Sequence, residues 1–183
     1  MTKIEAIEFL SKKKPLYLNG DVSQEDLDEY RDILEWWEKS PDPELIPLVL
    51  GSFGGEGGYG LNEHFYAVLA EFSEEQLAEH VHKALHSPFA SVREAVAELC
   101  MSKPMASLFE DLKGLALYDA SVDVRVWSIY ALAYLGTSEA EELLLELAAD
   151  APPERVARAV EIIFQKRDGF GFDATMPNRS RPS

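Results

Sequence analysis

The chain has 183 residues, a formal net charge of −16 and a single cysteine, Cys100. That length suits one domain burying roughly two thirds of its extended-chain surface, and the lone cysteine rules out an internal disulfide and a thiolate metal cluster. The acidity argues against nucleic acid as a ligand and favours a protein partner with a basic surface, because a negative field repels phosphate and attracts cations.

From the N-terminus, Thr2 and Glu5 form a Thr-x-x-Glu capping box that opens a helix with Ile4, Ile7 and Leu10 on one side. Lys3, Glu5, Glu8 and Lys12 to Lys14 interrupt the apolar positions of this region, so no signal-peptide core is expected and the protein is expected in the cytoplasm. Pro15 and the NGD at 19 to 21 end the helix, and Ser23 starts a second that runs to about Lys39 with Leu27, Tyr30, Leu34 and Trp37 at helical spacing. Asp42 followed by Pro43 reads as an N-cap with proline at the first helical position. Further helices are expected near 43–52, 61–72, 74–86, 90–101, 105–118, 122–135, 138–149 and 153–166, with starts at Ser73-x-x-Gln76, Asp123 and Pro152-Pro153 and a stop at Gly136. The longest window without a charge, residues 126–138, is shorter than the ~20 apolar residues of a membrane span. No window alternates with period two between turns, so the fold is expected to be all-α.

The stretch GSFGGEGGYG at 51–60 contains G-x-G-x-x-G. A dinucleotide turn needs a strand before the glycines and a helix after them. Here the preceding run starts as a helix, Pro47 would deny a central strand its donor, and Glu56 would repel phosphate. A long connection between two helices is expected instead, and no cofactor.

Self-comparison at an offset of 31 residues aligns Ile46, Leu77 and Leu108; Leu50, Val81, Leu112 and Leu143; and Leu85, Ala116 and Leu147. A pair of helices of about this length is the repeat unit, and it cannot bury its apolar face alone. Ser91-Val92-Arg93 and Asp123-Val124-Arg125 each open a second helix, and the latter closes on Leu135-Gly136. These marks resemble the HEAT-repeat family over about residues 42–166, without a Val-Arg at 61–72 or 153–166. The resemblance implies an α-solenoid of about four helical hairpins at 42–167, with the two N-terminal helices (1–40) as a cap. Residues 168–183 would form an irregular tail outside the single domain at 1–167.

In that family the second helices line the concave face. Stepping 100° per residue from Val124 turns Trp127, Ser128, Ala131, Leu132 and Leu135 inward and leaves Val126, Ile129, Tyr130 and Ala133 facing away. The same construction exposes Glu94, Ala97, Glu98 and Met101 on the helix before it, and Glu63, Tyr66, Ala67 and Ala70 on the one before that. The expected partner-binding set is therefore Glu63, Tyr66, Glu94, Glu98, Val126, Ile129 and Tyr130, with Glu56 and Tyr59 at its rim: aromatic anchors surrounded by carboxylates. Cover by the C-terminal tail or by a second copy of the chain is the alternative use of Val126, Ile129 and Tyr130.

His80, His82 and His86 lie on one helix with Glu79 three residues before His82, a spacing that presents two imidazoles and a carboxylate to one ion. Histidines on a solvated helix are the commoner arrangement, and no metal is expected. No nucleophile elbow, P-loop or Cys-His pair occurs, so the protein is not expected to be an enzyme. A small acidic chain of this kind looks like the HEAT-type immunity proteins that neutralise toxins, here by occluding a basic domain such as a nuclease. A general scaffold or adaptor is the alternative, and a lyase on the same fold the third.

Overall fold

The computed structural model describes residues 1–12, 15, 23–54 and 61–149. Among them are nine α-helices and no strand: α1 (Lys3–Lys12), α2 (Gln24–Lys39), α3 (Ile46–Ser52), α4 (Leu61–Ala70), α5 (Glu74–Leu85), α6 (Ala90–Ser102), α7 (Phe109–Tyr118), α8 (Val122–Leu135) and α9 (Ser138–Ala149). Two of the first helices of their pairs, α3 and α7, are entered through a 3-10 turn, Pro43–Leu45 and Ala106–Leu108. The helix expected at 153–166, the tail at 168–183, and Glu56 and Tyr59 fall outside the described residues.

The helix starts follow the local chemistry. The Thr2 N–H donates to Glu5 Oε2 at 2.7 Å and Glu5 N–H to Thr2 Oγ1 at 3.3 Å, closing the reciprocal box. Ser73 and Gln76 form the same arrangement at α5, and the Ser23 hydroxyl accepts from Asp26 N–H at α2. At α8 the cap is Ser121, whose side chain accepts from Val124 N–H, and not the expected Asp123, which lies inside the first turn. Gly136 ends α8 at φ 63°, a left-handed conformation that costs an L side chain about 1 kcal/mol or more.

The helices stack as two rows. The first-helix row runs α1, α3, α5, α7 and the second-helix row α2, α4, α6, α8, each helix touching its neighbours in the row, with α9 against α8. The expected cap is thus a hairpin in register with the repeats. Lys3 fixes its first helix by pairing with Asp42 at 2.6 Å and Glu44 at 2.9 Å at the entry to α3.

The three columns found at the 31-residue offset are the core of the first-helix row. Ile46, Leu77, Leu50, Val81, Leu85, Leu108, Leu112 and Ala116 are all buried, while Leu143 and Leu147 on α9 are half-buried. Under the second-helix row the core is aromatic: Tyr30, Trp37, Phe65 and Phe72 form a connected set with ring centroids 4.8 to 6.1 Å apart.

α8 lies between α6, α7 and α9, which accounts for its apolar character all round. Its Ser128 is fully buried, and the hydroxyl has no hydrogen-bond partner among the described residues. An unpaired buried hydroxyl costs about 1–3 kcal/mol, and alanine is the better helix former. Ser128→Ala is therefore expected to raise unfolding free energy by about 1 kcal/mol in urea titration, with the helical circular dichroism unchanged.

Candidate functional site

The second-helix row brings most of the expected binding residues together, though not all of them on its surface. Tyr66, on α4, is buried, with its hydroxyl donating to the Ala95 carbonyl at 2.9 Å and lying 3.3 Å from Glu98 Oε2 on α6. Burial, followed by the negative charge of Glu98, Glu63 and Glu94, holds its phenol well above the ordinary tyrosine range. The hydroxyl therefore stays a donor, facing the Ala95 carbonyl and the Glu98 carboxylate. Phe53, the third residue of the glycine-rich stretch, packs edge-on to the Tyr66 ring at 5.5 Å. The first two residues of that stretch, Gly51 and Ser52, are the end of helix α3, so a helix and not the strand that a dinucleotide turn requires precedes the glycines at 55–60, which lie outside the described residues.

Glu63 is exposed and Glu94 half-exposed, as a binding surface needs, whereas Glu98 is only 6 % exposed and Ile129 only 8 %. The expectation that Tyr66, Glu98 and Ile129 face outward is corrected by the packing: α4 and α6 each have a row neighbour on both sides, α8 packs against α6, α7 and α9, and Ala97 and Ala133 are both fully buried. Val126 and Tyr130 on α8 keep partial exposure, and Tyr130 packs edge-on against Trp127 at 5.9 Å between centroids. The accessible part of the expected set is therefore Glu63, Glu94, Val126 and Tyr130, with Tyr66 and Glu98 as the layer beneath.

The arginines of the two Val-Arg marks bond to the loops between helices. Arg93 forms a two-pronged pair with Asp119, Nε to Oδ2 at 2.7 Å and Nη2 to Oδ1 at 2.9 Å, and also donates to the Ser87 carbonyl. Arg125 donates to the Asp119 carbonyl at 2.6 Å. Both cations are thereby tied to the loops between helices, and α4 contains no lysine or arginine and α6 none besides Arg93, so the field over α4 and α6 is set by carboxylates.

A second acidic feature escaped the sequence reading. Glu25, Asp28, Glu29 and Asp32 of α2 line an open groove with Glu5 of α1 and the preceding Met1. Its signal was present as the density of acids in QEDLDEYRDILEWWEK, but only the stacking of α1 and α2 makes it a groove.

The histidines meet a different carboxylate from the one expected. Glu79 pairs with Lys83 at 2.6 Å. His82 and His86 instead converge on Asp111 of α7, His82 Nδ1 lying 2.8 Å from Oδ2 and His86 Nε2 3.0 Å from Oδ1. Cys100, fully buried, is pushed up to about 12 by burial and then by the Asp111 charge, so its sulfur stays a thiol.

Among the described residues no helix is long and apolar enough to cross a membrane. No curated protein and no solved structure matches the chain significantly. The two-row stacking, the 31-residue core columns and the arginine-led second helices agree with the comparison that does match: residues 78–163, from within α5 through α9 and beyond, fit the family model of HEAT repeats, so over this stretch the chain is similar to HEAT-repeat proteins, an architecture of protein–protein interaction.

Proposed function

We propose that this protein is a non-catalytic binding module that neutralises a cognate toxin by covering a basic surface of it, a nuclease domain being the partner chemistry that fits best. The observation that carries this reading is the acidic character of α4 and α6 beside Tyr66: Glu98 lies 3.3 Å from its hydroxyl and Glu63 and Glu94 keep exposure, while Arg93 and Arg125 are tied into the inter-helix loops. Carboxylates over an apolar layer steer a cationic surface and set its register, and the half-exposed Tyr130 supplies a hydrophobic contact beside them. The acidic groove between α1 and α2 extends the same field to the end of the stack.

Co-expression with the product of the adjacent gene tests the reading directly: a stable complex and rescue of growth support it. A complex with a non-toxic protein would make the chain a general adaptor, and absence of both binding and protection would remove the proposal. Glu98 is too enclosed to probe the surface, so the informative variant is Glu63→Lys with Tyr130→Ala, whose side chains are exposed and half-exposed. It is expected to weaken partner binding at least about tenfold and to flatten its salt dependence, with the thermal midpoint little changed. Unaltered affinity and salt slope would place the interface elsewhere.

A further inference from the structure

We propose that His82, His86 and Asp111 form a binding site for a divalent transition metal ion, zinc being the best match, that joins two adjacent repeats. His82 lies in the last turn of α5 and His86, four residues on, is the residue that caps its C-terminus, while Asp111 reaches both from α7, the equivalent helix of the next repeat. One ligand atom from each of the three residues can be chosen so that all lie within 4.8 Å of one another. A tetrahedral zinc ion with bonds of about 2.0–2.2 Å needs its donors roughly 3.4 Å apart. His82 Nδ1 lies 2.8 Å from Asp111 Oδ2 and His86 Nε2 3.0 Å from Oδ1, the two oxygens of one carboxylate, and the three ligand atoms close within 4.8 Å, so the two exposed imidazoles must rotate toward a common point to take the ion.

The chemistry of the donors selects the ion. Two imidazoles and one carboxylate suit zinc, nickel or copper and not calcium or magnesium, which prefer all-oxygen shells. The carboxylate is the fixed ligand, its side chain 16 % exposed, whereas His82 and His86 are 53 % and 60 % exposed and present the open side of the site to water. Lys83, the nearest cation in sequence, is held by Glu79, and Lys113 by Glu110. Without the ion, Asp111 holds one imidazole on each oxygen; with it, the metal takes the place of the bridging protons. Because the ligands come from two neighbouring helices of the first-helix row, the ion fixes the spacing between repeats.

The test is calorimetric titration of the full chain, free of any histidine tag, with zinc chloride, alongside His82→Ala, His86→Ala, Asp111→Asn and His80→Ala. His80 lies on the same helix outside the cluster and serves as the control. The expected result is one zinc per chain for the parent and for His80→Ala, and at least about a tenfold loss of affinity for each of the other three. At a free zinc concentration about a hundred times the dissociation constant, the parent's thermal midpoint should rise by on the order of 5 °C, and that of His86→Ala should not. Cobalt substitution should give the visible absorption of a four-coordinate ion. Absence of saturable binding overturns the proposal, and so does equal weakening by His80→Ala and His86→Ala, which would mark scattered surface chelation. The circular dichroism of each variant, expected to match the parent because both histidines are exposed, separates loss of the site from loss of the fold.

Discussion

Trp37→Ala is expected to lower unfolding free energy by about 3–5 kcal/mol, the range for removing a large aromatic side chain from a packed interior. Trp37 is fully buried in α2, its ring 6.1 Å from Phe65 on α4 and 5.6 Å from Phe72 beyond it. Its indole N–H donates to the Asp42 carbonyl at 3.0 Å, at the turn that opens α3. One side chain therefore joins the first hairpin to the second by both packing and a hydrogen bond. The lost ring contacts and the lost indole hydrogen bond act together, which puts the effect at the upper part of the range. Trp36, next to it and half-buried, is the control: Trp36→Ala is expected to cost about 1 kcal/mol, in line with partial burial. Urea titrations of both variants check this. Similar losses at the two positions would mean that α2 is not seated as described.

That the first hairpin is held so firmly bears on what could be read from the sequence. The spacing of Tyr30, Leu34 and Trp37 marks α2 as amphipathic, but it does not reveal that α1 and α2 stack in register on α3 and α4. α1 touches α3 and α2 touches α4, as the later helices touch their neighbours in each row. The columns at the 31-residue offset were legible because core positions of a repeat recur at the repeat length, and every described member of them is buried or half-buried. What the helical wheel misjudged are Tyr66, Glu98 and Ile129. A wheel has one inside and one outside, whereas α4 and α6 are flanked by row neighbours on two further sides and α8 packs against α6, α7 and α9 at once. Small residues at those flanks, such as Ala97 and Ala133, were the available sign that a neighbour comes close.

The same geometry explains why the side-chain sites were not found from local spacing. Tyr66 meets Glu98 at a separation of 32, His82 meets Asp111 at 29, His86 meets Asp111 at 25 and Arg93 meets Asp119 at 26. All are near one repeat length, so a residue's partner sits about one unit further along the chain. Motif spacing within one helix led to Glu79 as the third member of the histidine cluster. Scanning one repeat ahead leads to Asp111.

Asp119→Ala is the second large effect, about 3 kcal/mol at neutral pH, because removing one member of an enclosed ion pair strands the other. The Asp119 side chain is 4 % exposed and that of Arg93 14 %. Besides its two bonds from Arg93, Asp119 accepts from the Ser121 N–H at 2.8 Å, so the substitution also loosens the turn that starts α8. The hydrogen bonds from Arg93 lead in lowering the Asp119 carboxyl below its usual value, against a smaller opposing effect of burial. A carboxyl lowered in the folded state contributes stability that is present above its unfolded value, about pH 4, and is lost as pH falls through the folded value. Arg93 is raised in turn, chiefly by the same hydrogen bonds, and stays charged throughout. The stability difference between the parent and Asp119→Ala should therefore be level from about pH 8 to 5 and shrink on further acidification. Taking the difference between the two proteins cancels the other carboxylates of this acidic chain, which titrate alike in both. Asp119→Asn retains an acceptor oxygen without the charge, so its deficit should be smaller than that of the alanine variant at neutral pH. The deficit of the asparagine variant should also narrow in acid, since only the parent has a proton to gain there. A gap that stays constant down to pH 3 would mean that the Arg93–Asp119 pair contributes through packing and not through charge.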